Sequence, residues 1–253
     1  MIGHTRTAIP AVASVGLLLC GWAACTTVTP PPELESSSTN ERIHYRVVLT
    51  ASLEDRRPTI ETQVDSAVQR ITVFAHAHGW DSLAIQPFMD SVMVFDVKKD
   101  FDRQLLLLAG ADTTMQLPAT YCGALEKRTL LVVAPEIYAA AYPEGVEAHS
   151  WVKLLTHEIA DQLHVRILQG DEEAMGPVWF YEGFAIYAAD QLRGVAPALS
   201  PDSMRAVMDD PERGSYAVYG AVFRHFAAQH TIKELIGMAA EPQLTERLLG
   251  AGQ

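Results

Sequence analysis

Cysteine is almost missing from this chain of 253 residues: Cys20 and Cys25 fall in an apolar N-terminal stretch, leaving Cys122 alone in the remainder. A lone thiol closes no internal disulfide, and Tyr121-Cys122-Gly123 lacks the signature of a catalytic thiol, so Cys122 reads as a partly buried structural residue. Basic side chains are scarce, 19 Lys and Arg against 31 Asp and Glu, for a formal net charge of -12. Such acidity argues against a nucleic-acid backbone or an anionic membrane surface as partner. Also missing are a Gly-rich phosphate loop, the nucleophile elbow of Ser-His-Asp catalysis and any internal repeat. What is present is apolar material for a core, 49% of the residues, too much for a disordered chain.

Residues 1–25 read as a secretion signal, with His4 and Arg6 before an uncharged run over 8–24 that is short for a spanning helix. Trp22-Ala23-Ala24-Cys25 resembles the lipobox of bacterial lipoproteins, with Trp where an aliphatic residue is usual. The expectation is an exported protein of the periplasm or cell envelope, tethered through a lipid on Cys25, with plain secretion and an uncleaved anchor as the alternatives. Residues 26–40, with Pro30-Pro31-Pro32 and Ser36-Ser37-Ser38, read as a flexible linker to one folded domain over 41–250.

Within that domain, period-2 alternation predicts a strand over 43–52, and the stripe Ile60, Val64, Val68, Ile71, Phe74 predicts a helix over 58–78. A strand over 91–97, a helix over 99–109 and a hairpin over 121–134 follow, with 129–133 as its apolar strand and the edge along which a peptide could lie. Beyond residue 146 the pattern is helical: 146–168, 179–192, 201–208, 215–229 and 232–239. The fold class is α+β: a small mixed sheet with helices in an N-terminal lobe, a long active-site helix, and a mostly helical C-terminal lobe.

The chemistry gathers on Thr156-His157-Glu158-Ile159-Ala160-Asp161. Two histidines four residues apart on a helix can share one metal ion, with the intervening Glu as general base. Here His157 and Glu158 stand in place, but Asp161 occupies the second position. His164 continues the stripe two turns on, roughly 10 Å from His157 by helical rise, too far to replace the missing ligand. A third ligand must come from elsewhere, and Glu182 on the next helix can return to face His157, with Trp179 and Phe180 packing the pair.

Thr156-His157-Glu158 and Trp179-Phe180-Tyr181-Glu182-Gly183-Phe184-Ala185 together resemble the gluzincin zinc metallopeptidases, especially the bacterial peptidase-MA-like families. Their pattern is His-Glu-x-x-His on one helix and Trp-x-x-Glu-Gly-x-Ala on the next. The resemblance spans about residues 154–187, with a looser echo in Tyr216-Ala217-Val218-Tyr219-Gly220. It implies a peptidase with His157 and Glu182 as metal ligands and Glu158 as the base acting on metal-bound water. It also implies a later-helix donor to the oxyanion, for which Tyr219 is the first choice and Tyr216 the second, with His225 and His230 behind them.

Asp161 departs from the pattern. A zinc ion with two imidazoles and one carboxylate sums to about +1; with His157, Asp161 and Glu182 the sum is about zero, which weakens the ion as a Lewis acid. An oxygen-richer set also admits Mn²⁺ beside Zn²⁺. Asp161 is thus a working ligand, a change that leaves a weak or empty site, or a helix residue without functional consequence. Two functions stand: a metal-dependent peptidase acting on peptide or protein substrates, or an inactive relative that binds peptides or proteins in the cell envelope.

Overall fold

Residues 45–195 and 197–250 are described by a computed structural model; the signal, Cys25 and the linker lie outside the described residues. Among these the architecture is α+β, with one four-stranded mixed sheet and helices that dominate the second half. Strand β1 (Arg46–Leu49) is shorter than its alternation suggested, because a 3₁₀ turn over Ala51–Arg56 takes over. Pro58 then sits in the first turn of helix α1 (Arg57–Ala77), where its missing N–H costs nothing. Ile60, Val64, Ala67, Val68, Ile71 and Ala75 make its buried face, and burying an Ile or Val fully is worth roughly 1.5–3 kcal/mol. After the short α2 (Asp81–Ala84) come β2 (Ser91–Phe95) and α3 (Lys98–Ala109), the latter stopped by Gly110 at φ 70°.

The expected hairpin is β3 (Gly123–Glu126) and β4 (Thr129–Val133), joined by Lys127 and Arg128 at φ 46° and 62°. Both turn residues occupy the left-handed region that a two-residue hairpin demands, without the Asn or Gly that usually relieves it. Arg128 is fixed there by Asp90, at 2.6 and 2.9 Å. The strand order is β1-β2-β4-β3, with β1, β2 and β4 parallel and β3 antiparallel to β4. The expectation of 129–133 as the edge is therefore corrected: β4 lies inside the sheet, and β3 is the edge. The sequence favoured β4 because it is the more apolar strand, but Leu130 to Val133 are buried on both faces, as an interior parallel strand requires.

Helix α4 (Pro135–Ala141) leads to α5 (Ser150–Ile167), which lies against α1, β3 and α6 (Val178–Ala188). Trp151 anchors the start of α5, its Nε1–H donating to the Val133 carbonyl at 2.8 Å. Helices α7 (Pro201–Met208), α8 (Tyr216–Ala227), α9 (Ile232–Met238) and α10 (Leu244–Gly250) complete the chain. A Cβ on Gly183 would stand 2.8 Å from Phe223 Cβ, and one on Gly220 would stand 2.7 Å from Ile186 Cγ2. The Gly after Glu182 is thus what lets α6 and α8 approach closely.

Candidate active site

Helix α5 presents His157 and Asp161 toward Glu182 of α6, and Glu158 toward β3. His157 Nε2 lies 3.3 Å from Glu182 Oε2 and 3.9 Å from Asp161 Oδ2. On the far side of the ring, Nδ1–H donates to Gln191 Oε1 at 2.9 Å, which fixes the ring's orientation and aims Nε2 at the carboxylates. Gln191 comes from a turn that sequence reading had assigned to a longer helix. Helix α6 stops at Ala188 because Asp190 and Leu192 adopt φ 54° and 55°. Arg224 holds the Gln191 carbonyl, Glu147 accepts from the Leu192 N–H at 2.9 Å, and Lys153 links Glu147 to the Asp190 carbonyl.

Glu182 has a second partner that the sequence did not advertise. Arg213, in the turn between α7 and α8, donates Nη1 to Glu182 Oε1 and to the Tyr216 hydroxyl at 2.7 Å, and Nη2 to the Tyr181 hydroxyl at 3.2 Å. The Tyr216 ring lies 6.0 Å from that of His157. Of the two tyrosines, Tyr216 is the one beside His157, whereas the Tyr219 hydroxyl bonds within its own loop, accepting from the Gly214 N–H and donating to the Glu212 carbonyl at 3.2 Å. His225 is exposed and bonded to Gln229, and the His230 N–H closes the end of α8 on Phe226. His164 is fully buried against Phe184, ring centroids 4.6 Å apart, and takes no part in the cluster.

The carboxyl of Glu158 rests against β3: a Cβ on Gly123 would stand 2.6 Å from Glu158 Oε1. Burial raises the Glu158 pKa to about 7, against the opposing pull of His157. Burial also lifts Asp161 well above the usual carboxylate range. Burial alone would depress His157, but the Glu182 hydrogen bond and the surrounding carboxylates overcome it and raise the imidazole to about 10. Glu182 goes the other way: its burial is outweighed by His157 and Arg213, which keep it ionised. A proton on His157 and the Arg213 guanidinium thus supply positive charge to this cluster of carboxylates. Cys122, next to Gly123, is buried, and that burial pushes its thiol up to about 11.

Among the described residues no group of three or more His, Cys, Asp or Glu side chains forms a ready-made metal cage. The donor separations show what remains to be closed. Two ligands each about 2.1 Å from one tetrahedral ion stand roughly 3.4 Å apart. His157 and Glu182 meet that spacing at 3.3 Å, and Asp161 at 3.9 Å overshoots by about half an ångström, the short reach of an Asp on this helix. Asp161 Oδ1 is moreover buried with no hydrogen-bond partner, and such an acceptor calls for a donor or a cation. The three side chains would hold one divalent ion only if Asp161 moved toward His157.

Comparison with known proteins finds no matching family model, no similar curated protein and no similar solved structure. The functional reading accordingly stands on the residues themselves.

Proposed function

We propose that this chain is a metal-dependent peptidase with Glu158 as its general base. The observation that carries the reading is the meeting of His157 Nε2 with Asp161 and Glu182 across two helices, with Asp161 Oδ1 buried and unpartnered beside them. His157, Asp161 and Glu182 would hold the ion, zinc or manganese, which when bound would supply a Lewis acid for the scissile carbonyl and for the attacking water.

The chain's own groups account for the rest. The open side of β3 pairs with no strand among the described residues, so an extended peptide laid along it gains main-chain hydrogen bonds and passes Gly123. That brings the peptide to the Glu158 carboxyl, whose pKa near 7 suits it to accept a proton from the attacking water and return it to the leaving amine. Tyr216, held by Arg213 beside His157, is the donor placed to face the oxyanion. In this reading residues 1–25 export the protein and Cys25 tethers it to the envelope, a proposal that rests on sequence.

Metal analysis of the purified chain after zinc loading tests the proposal: near-stoichiometric metal, with peptide hydrolysis abolished in Glu158→Gln, is expected. Less than about a tenth of an equivalent of bound metal would instead favour a second reading, an inactive relative that binds peptides along β3. The grip of Arg213 on Glu182 is the observation in favour of that alternative.

A further inference from the structure

The two oxygens of Glu182 serve different neighbours. Oε2 faces His157 Nε2 at 3.3 Å, whereas Oε1 takes the Arg213 guanidinium. The oxygen turned toward the other donors is thus left open by the arginine. The arginine is delivered by a braced loop: the Tyr219 hydroxyl bonds Glu212 and Gly214, the residues on either side of Arg213. Tyr181 and Tyr216 then hold the guanidinium in place.

Charge gives this arm a purpose. Substituting Asp161 for a second imidazole lowers the sum of divalent ion and ligands from about +1 to about zero. A guanidinium cannot lose its proton at working pH, so Arg213 on Glu182 returns the missing unit. We propose that Arg213 is the compensating cation of an oxygen-rich His157–Asp161–Glu182 metal set, a positioning residue that orients Glu182 and offsets the charge of Asp161. The inference rests on the metal-dependent reading above. In the metal-free chain the same group keeps Glu158, Asp161 and Glu182 from facing a single imidazole unaided.

The experiment compares full-length wild type with Arg213→Lys, Arg213→Gln and Tyr219→Phe. Metal-free melting temperature and zinc affinity are measured, the latter by competition with a chromophoric chelator at one pH and ionic strength. Arg213→Gln should melt lower without metal yet bind zinc about tenfold more tightly, because the dication no longer shares Glu182 with a guanidinium. Arg213→Lys keeps the charge and should stay within about threefold of wild type. Tyr219→Phe, which loosens the loop without touching the charge, should move part of the way toward Arg213→Gln. A purely structural arginine would lower the melting temperature and leave zinc affinity alone; that result, or equal shifts in the Lys and Gln variants, overturns the proposal. Should Arg213→Gln not fold without zinc, Tyr219→Phe decides, and an unchanged affinity there overturns it equally. Absence of zinc binding in wild type and in Asp161→His overturns the metal-dependent reading and this inference together, whereas zinc binding that ignores Arg213 overturns this inference alone.

Discussion

His157 is fixed from two sides, by the Gln191 side-chain oxygen Oε1 on Nδ1 and by carboxylates on Nε2, so its lone degree of chemical freedom is what occupies Nε2: a proton or a cation. In the proposed site Asp161 would decide how well a cation competes. Its carboxylate falls short because an Asp reaches less far from the helix than an imidazole, and replacing it lengthens the arm while removing one negative charge. Asp161→His is therefore expected to tighten zinc binding by at least about tenfold and to raise hydrolysis, read by chelator competition and by a peptide cleavage assay. No change in either would place Asp161 outside the site. His157, Glu158 and Glu182 could be found in the sequence because each sits in a contiguous segment whose helical spacing sets its direction. Gln191 and Arg213 could not. Both arrive on turns, and the left-handed residues Asp190 and Leu192 that swing Gln191 inward leave no periodic trace. Tyr216 and Tyr219 lie three apart on one helix, so spacing alone does not choose between them; the loop bonds of Tyr219 do.

Helix α5 meets the sheet where β3 passes under Glu158, and this contact depends on a missing side chain. A methyl on Gly123 would have to displace the Glu158 carboxyl, because 2.6 Å is closer than any real contact allows. Gly123→Ala should lower kcat for peptide hydrolysis by roughly 10–100-fold while zinc binding through His157 and Glu182 holds, since a small misplacement of a base is costly to proton transfer. Equal loss of metal would mean that β3 supports the ligands rather than the base. The elements themselves were largely legible: α1, α5, α6 and the 121–134 hairpin fall close to their predicted spans because amphipathic and alternating patterns record which face is buried. What the pattern did not record was strand order. Apolarity marks β4 as strongly buried, and burial on both faces is the property of an interior strand, so the more apolar half of the hairpin could not also be its edge.

The fold as a whole carries an opposition between two buried groups that should govern its response to acid. His164 is fully buried with neither ring nitrogen hydrogen-bonded, and burial lowers its pKa from 6.5 to about 4. Its folded pKa lies below its unfolded value, so the unfolded chain takes the proton first; stability is untouched above pH 6.5 and declines as pH falls toward 4. Two and a half units correspond to about 3 kcal/mol at full extent. Glu158 works in the reverse sense. Its pKa is raised from 4.5 to about 7, so the folded chain holds the extra proton, and stability declines as pH rises through that range. Over the range that they share, the two slopes oppose one another. His164→Leu removes one of them and seats a side chain of similar volume against Phe180 and Phe184. Denaturant unfolding at pH 8, 6.5 and 5 should then show the variant gaining on wild type as the pH drops, by about 2 kcal/mol between the extremes. A difference between the two proteins that stays constant across that range would mean that His164 is already solvated or paired in the folded chain, and that the acid response is set by the active-site carboxylates alone.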